Sequence, residues 1–354
     1  MKRIFIPLTA LALAFMTMLG GCSCVPTTPL AFNNNFYGET NSTPSVNYSE
    51  TLVYNVENIS SYSDAFEISP QLTKDVIEFD ISGTYTTKFS VLDKSDVTAK
   101  FASDILSADT GNVIYRIESE LNLQSHYKAN YGIYKENENA TAENEKTFND
   151  VIKTDVYFLE SGHAFAPIWS KTNIKSSYLS IDSDMKASIY ALEYSQTIAY
   201  NKDDYTITTE SDGSDIQPNE CDYTFKTIID NNTLLFALRN INIEHEKTFS
   251  LTTVHATYGD AQTLTITNEE ERTINNFELK TNSGDIKENI PVKEYSFIRS
   301  NSSNTGLAQY VVLQKSKTTN LPFKAYVLEY IFPLTTYGSF INMGGLKYTL
   351  TEIK

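Results

Sequence analysis

Three cysteines, four histidines and a surplus of carboxylates are the groups of this 354-residue chain that could carry chemistry. Cys22 stands out by position. It closes the tetrapeptide Leu19-Gly20-Gly21-Cys22. A thiolate is a strong nucleophile, and two preceding glycines leave the backbone open to a protease. Ahead of the tetrapeptide lie Lys2 and Arg3, then an apolar run from Ile4 to Met16 continuing to Leu19. The run falls short of the roughly 20 apolar residues that span a bilayer. A basic start, an apolar middle and small residues at the end form the layout of a secretory signal peptide, here residues 1–21.

Leu19-Gly20-Gly21-Cys22 resembles the lipobox of bacterial lipoproteins: an aliphatic residue, two small residues, then cysteine. The resemblance implies that the Cys22 thiol carries diacylglycerol and that a peptidase cuts before it. The mature chain, 22–354, is then expected to be extracytoplasmic, in the cell envelope, with the membrane as its partner through acyl chains on Cys22. Two buried chains anchor stably where one is marginal. The other cysteines are Cys24 and Cys221. They would need Cα atoms within about 7 Å to form a disulfide, and two separate thiols fit the sequence equally well.

The remaining candidates carry less. His126, His163, His245 and His255 show no zinc-ligand spacing, and a zinc site needs three or four converging ligands. Ser183-Asp184-Met185-Lys186 matches Ser-x-x-Lys, a nucleophile beside a lysine base, without the companion motifs of that chemistry. Asp203-Asp204 and Glu269-Glu270-Glu271 suit acid–base work only if a cleft separates their pKa values. Asp212, Asp215 and Glu220 offer oxygens for calcium without the alternation of a calcium loop. Gly-x-Ser-x-Gly and phosphate-loop motifs are absent from the sequence. The expectation is a non-enzymatic protein with no cofactor and no metal. A hydrolase site assembled from distant residues is the alternative.

These groups must be positioned by the body of the chain. Its formal charge of −16 becomes two units more negative once Lys2 and Arg3 are removed. Such a chain repels phosphate backbones, so nucleic acid is excluded as a partner. Residues 22–49, with Pro26, Pro29, Pro44 and Asn33-Asn34-Asn35, read as a disordered tether. Residues 50–354 read as an antiparallel β domain, with a possible subdivision near 231. Lys135–Asn149 and Glu210–Glu220 read as loops.

Alternation defines the strands. Ile77, Phe79, Ile81, Gly83, Tyr85, Phe89 and Val91 share one parity, and Val113, Tyr115, Ile117, Leu121 and Leu123 share another. Period two with one apolar face marks a half-buried antiparallel strand. Gly83 suggests a bend or bulge. Shorter strands are expected at Leu52–Val56, Met185–Ala191, Tyr223–Ile229, Phe249–Val254, Tyr326–Phe332 and Leu346–Leu350. Helical signal is confined to Thr233–Asn240, capped by Asn232, and to a turn capped by Asp96 with Val97, Phe101 and Ile105 on one side. Thr51–Tyr54 echoes Thr233–Phe236, and Pro167-Ile168 echoes Pro291-Val292, at offsets that disagree. The fold class is therefore all-β: a long curved antiparallel sheet, half-barrel or open barrel, with one or two short helices.

The long-strand pattern resembles lipoprotein-carrier half-barrels, in which a curved sheet wraps an apolar groove. The resemblance implies a lipid-anchored binding protein holding a hydrophobic small molecule, a lipid or an envelope component. A second reading is a surface module that binds glycan or protein through exposed tyrosines. Tyr326, Tyr330, Phe332, Tyr337, Phe340 and Tyr348 crowd the C-terminus, and Tyr190, Tyr194, Tyr200 and Tyr205 cluster mid-chain. Such rings either stack on a ligand or fill a core.

Overall fold

The computed structural model describes residues 46–61, 67–98, 113–161, 164–201, 206–212, 219–222, 228–237, 248–254, 261–299, 309–314, 326–336 and 341–354. The expected signal peptide, Cys22, Cys24 and the expected tether up to residue 45 lie outside them; residues 46–49, also expected in the tether, instead join the sheet, the Asn47 amide donating to the Val91 carbonyl at 2.9 Å and the first described strand starting at Ser49. Alternating residues build the strands β1 (Ser49–Ile59), β2 (Glu78–Asp93), β3 (Val113–Lys128), β4 (Glu145–Ser161), β5 (Ala164–Ile181), β6 (Ala187–Asn201), β7 (Thr206–Asp212) and β8 (Asn219–Asp222). A second set follows: β9 (Ile228–Asp230), β10 (Thr248–Val254), β11 (Ala261–Thr281), β12 (Ile286–Arg299), β13 (Gln309–Gln314), β14 (Val327–Thr335) and β15 (Asn342–Ile353). Two short helices, α1 (Lys94–Thr98) and α2 (Leu234–Ala237), complete the described elements. Among the described residues no helix is long and apolar enough to cross a membrane.

All fifteen strands belong to one sheet in the order β8-β7-β6-β5-β4-β3-β2-β1-β15-β14-β13-β12-β11-β10-β9. β1 and β15, the first and last of the described strands, pair at its centre, Leu52 opposite Ile353 and Asn58 opposite Leu346. The pairing is antiparallel except for β9 with β10 and a two-residue bridge, Lys280 opposite Glu352 and Thr281 opposite Ile353. That bridge ties the end of β11 back to β15, so β11–β15 close into a ring inside a sheet that stays open at β8 and β9, and the ring's buried residues join one core with those of β1–β5. Register shifts in β11 at Asn268/Glu271 and Ile274/Phe277 supply the curvature such a ring needs, since each bulge bends its strand and adds twist.

Burial follows parity. In β3, Tyr115, Ile117, Leu121 and Leu123 are buried while Asn122 and Gln124 are exposed. The inner face meets at the seam as an aromatic layer. Tyr85 and Tyr330 each lie 5.7 Å from Tyr348, and Tyr54 lies 5.9 Å from Tyr85. Buried polar groups there are paired: the Tyr326 hydroxyl donates to Glu50 Oε2 at 2.6 Å, and the Tyr54 hydroxyl to the Val327 carbonyl at 3.0 Å. β14 is buried along its whole length, which period-two reading could not foresee. In the other half, α2 lies on the inner face. Phe236 stacks on Phe89 at 4.4 Å and meets Phe158 edge-on.

β5 and β6 exchange faces part-way along. Even-numbered Ser170, Thr172 and Ser176 are buried in β5, then odd-numbered Ser177, Leu179 and Ile181. In β6 the change runs from Ala187 and Ile189 to Tyr194, Gln196, Ile198 and Tyr200. The strands stay in register throughout, so the hairpin turns as a unit. Its end is held to the β3–β4 connection by the Ile189 amide, which donates to the Ile133 carbonyl at 2.7 Å.

Several expectations change. Gly83 lies in an unbroken register opposite Leu123, and no bulge forms. A Cβ there would fall 1.9 Å from the Asn122 carbonyl oxygen, so close backbone approach accounts for the glycine. The turn before α2 is a 3-10 turn, Asn231–Thr233, capped by Asp230, whose carboxylate accepts from the Asn232 amide at 2.9 Å; Asn232 is not the cap. Asp93, not Asp96, caps α1, accepting from the Ser95 amide at 2.8 Å. Phe101, Ile105 and 238–240 lie outside the described residues. β4 begins at Glu145 and β7 ends at Asp212, so both expected loops are shorter. Met185 lies in the β5–β6 turn at φ +59°, leaving β6 to start at Ala187. Residues 223–227 are outside the described set, and β9 begins at Ile228. Thr51–Tyr54 is strand, whereas Thr233–Phe236 spans the 3-10 turn and α2, so that echo is not a structural repeat.

Candidate functional site

The outer face of β2–β7 is where charged and hydrogen-bonding side chains collect. Register places side chains in rows across the strands. One row runs Lys88, Glu118, Asp155, Lys171, Thr197, Glu210; the next runs Thr86, Glu120, Lys153, Asn173, Ser195, Asp212. Neighbours within a row are about 4.8 Å apart, and rows about 7 Å apart. This face holds an open trough of about 860 Å³ from Thr86 to Asn173 and a second of about 540 Å³ from Val151 to Asp212. The two share Lys153 and Asn173. Five cations and five carboxylates line them: Lys88, Arg116, Lys153, Lys171 and Lys175 against Glu118, Glu120, Asp155, Glu193 and Asp212. A chain of formal charge −16 thus holds a locally balanced strip.

One end of the trough is rigid. Arg116 Nε and Nη2 donate to the two oxygens of Asp155 at 2.8 and 3.0 Å, and Nη2 also lies 2.9 Å from Glu118 Oε1. The hydrogen-bonded Asp155 carboxylate raises the Arg116 pKa above its ordinary value. A bidentate pair fixes the plane of a guanidinium as well as its charge. That guanidinium lies 5.3 Å from the Tyr157 ring centroid, and Tyr157 meets Trp169 edge-on at 6.0 Å. Trp169 is the one tryptophan of the chain. Behind this wall Val97 of α1 packs with Ile114, Tyr157, Leu159 and Ile168. The β4–β5 register shifts between Tyr157 and Phe158, leaving Ile168 as the extra residue, buried at 1% exposure. This bulge sets the aim of Trp169, a device common beside binding sites. The middle of the trough is looser: Lys153 Nζ reaches Glu120 Oε1 at 3.4 Å with both side chains about half exposed. Such pairs contribute ~0–1 kcal/mol and rearrange readily.

The inner face differs. Where an apolar ligand was expected, the described surface of β2–β4 is occupied by the chain's own Phe236, among Phe89, Tyr115 and Phe158. At the β5–β6 face change lies a sealed polar cluster. The Asp150 carboxylate accepts from Ser125 Oγ at 2.5 Å, the Ser177 amide at 2.6 Å and Ser177 Oγ at 3.0 Å. Burial raises the Asp150 pKa, and the hydrogen bonds partly oppose it. Burial likewise raises the Tyr127 hydroxyl. Ser125 and Ser177 are fully buried and Asp150 is 3% exposed, which leaves a substrate no path to them.

The residues singled out in the sequence scatter. His126 is half-exposed on the polar parity, with Nδ1 3.0 Å from Thr147 Oγ1 and Nε2 3.4 Å from Glu145. His163, His245, His255, Asp203, Asp204 and Asp215 lie outside the described residues. Ser183 and Lys186 belong to the β5–β6 turn, where Asp182 Oδ1 accepts the Asp184 and Lys186 amides. Asp212 ends β7, and Glu220 and Cys221 lie in β8. Glu269–Glu271 lie within β11. Among the described residues no group of three His, Cys, Asp or Glu side chains could hold a metal ion. Of the tyrosines proposed as exposed contacts, Tyr190 is 48% exposed and stacks on Tyr178 at 5.3 Å. Tyr194, Tyr200, Tyr326, Tyr330 and Tyr348 are buried, filling the core. Tyr205, Tyr337 and Phe340 are outside the described residues. The Arg116–Tyr157–Trp169 wall was missed because its members sit on three strands and meet only through register.

No known family model matches the chain, and no curated protein matches it in sequence. Among solved structures it is similar to a β-barrel-like protein of a domain of unknown function, DUF1849, from Brucella abortus. The identity is 8%, the TM-score 0.44, and the match covers 88% of this chain and 98% of that one.

Proposed function

We propose that this is a lipid-anchored, non-enzymatic binding module of the bacterial envelope, held at a membrane through Cys22 and contacting a polar envelope polymer along the outer trough. The lipobox-like tetrapeptide supports the anchor. The pair of adjoining troughs, of about 860 and 540 Å³ and charge-balanced when taken together, is the observation that carries the binding reading. Five cations interspersed with five carboxylates offer donors and acceptors at strand spacing, while the described inner surface of β2–β4 is occupied by Phe236.

Co-sedimentation of the purified chain with insoluble cell-wall polymer tests it. The wild type should pellet with the polymer, and the Lys153→Ala/Asn173→Ala double variant should remain in solution. Equal pelleting of both refutes the trough as the contact surface. For the anchor, mass spectrometry of material from cells should find an acylated chain beginning at Cys22, and Cys22→Ser should abolish the acyl mass. An intact leader on the wild-type chain refutes this part.

A further inference from the structure

Resting on the trough as the contact surface, we infer that its ligand is an uncharged saccharide chain, one ring of which lies against Trp169 at the Arg116–Tyr157 wall. Three observations on the same face converge on this class. Across the two adjoining troughs cations and carboxylates are equal in number, five of each, so along the strip as a whole neither a polyanion nor a polycation gains net attraction. A hydroxyl both donates and accepts, and it can therefore bridge an ammonium and a carboxylate set one strand apart, as Lys153 and Glu120 are. A neutral chain of hydroxyls suits rows of mixed charge better than any polymer of one charge.

The third observation is the wall itself. Trp169 lines the trough, and its neighbours hold it on more than one side. Tyr157 abuts it edge-on at 6.0 Å, and the cluster of Val97, Ile114, Leu159 and Ile168 backs it. Arg116, pinned by Asp155 and Glu118, holds Tyr157 from the other side. A ring immobilised before binding loses little entropy on binding. An indole fixed beside a row of hydrogen-bonding groups presents an apolar plane for the C–H face of a sugar, with polar partners for its hydroxyl edges.

The experiment titrates the full chain with neutral tetrasaccharides (of N-acetylglucosamine, glucose and mannose) and with polygalacturonate as an acidic comparison. Calorimetry and Trp169 emission are read together, the single indole making the emission site-specific. At least one neutral tetrasaccharide should bind, shift the emission, and change affinity less than about twofold between 50 and 300 mM salt, since no counterions are released. Trp169→Ala should weaken it about tenfold and Trp169→Phe by no more than about threefold, as a stacking platform requires. Binding of polygalacturonate alone, no binding of any neutral saccharide, or saccharide binding indifferent to Trp169→Ala overturns the inference. If the Lys153→Ala/Asn173→Ala variant still loses envelope polymer in any of those cases, the trough stands and only the ligand class falls. If it does not, both fall.

Discussion

Replacing Asp150 tests whether the β5–β6 face change depends on one buried carboxylate. Asp150→Ala removes the acceptor of three hydrogen bonds, from Ser125 Oγ, Ser177 Oγ and the Ser177 amide. The two hydroxyls can rotate toward other acceptors, but the amide cannot. One orphaned buried amide costs about 1–3 kcal/mol, and losing bonds to a charged group adds to that, so a loss of roughly 3 kcal/mol is expected. Asp150→Asn keeps the shape and one acceptor oxygen while removing the charge. Burial raises the folded-state pKa of Asp150 above 3.8, so between the ordinary and raised values the folded chain binds more protons than the unfolded one. Stability attributable to this group is therefore fully present below about pH 3.8 and is lost as pH rises through the raised value. Relative to Asp150→Asn, the wild type should lose stability from acid toward neutral pH and then level off. Urea denaturation followed by Trp169 emission at a series of pH values measures both effects. A cost below about 0.5 kcal/mol for Asp150→Ala, or a wild type that gains on the asparagine variant as pH rises, refutes the reasoning.

Other substitutions probe the rest of the frame. Phe236→Ala removes the ring stacked on Phe89, and it should cost about 3–5 kcal/mol in denaturation experiments and open a cavity that takes up a hydrophobic dye. Gly344→Ala places a Cβ 2.2 Å from the Ile59 carbonyl oxygen at φ +88°, so it should lower the denaturation midpoint by an equivalent of at least ~2 kcal/mol. Arg116→Lys keeps the charge but loses the fork on Asp155; the site is partly exposed, so stability should fall by about 1 kcal/mol or less, with a shift in Trp169 emission as its visible effect.

Much of the fold could be read from residue order, because its strongest signal is local. The alternation from Ile77 to Val91 and from Val113 to Leu123 corresponds to β2 and β3, and the all-β class follows from such runs. What could not be read is non-local. β5 carries Ser170, Thr172, Ser176 and Ser177 on its buried positions, with Asp150 of neighbouring β4 accepting from Ser177 and Asn232 donating to Thr172, and a polarity pattern sees only loop. β4 opens with Glu145-Lys146-Thr147 and reads as the tail of a polar stretch until β3 supplies its register. Asn232 and Asp96 looked like caps by type, yet Asp230 and Asp93 have the side-chain geometry. The trough was invisible for the same reason as the wall at its end: Lys88, Glu118, Asp155 and Lys171 become neighbours only when four strands align.

The pairing of β1 with β15 has a consequence for how the molecule is made. β1 finds its partner in β15, at the far end of the described strands (Leu52 opposite Ile353), so the central seam stays unzipped until β15 has been synthesised. Long-range closure of this kind is slow. Removing the final strand should expose Leu52, Tyr54 and Val56 along an unpaired β1 edge, an invitation to edge-to-edge aggregation.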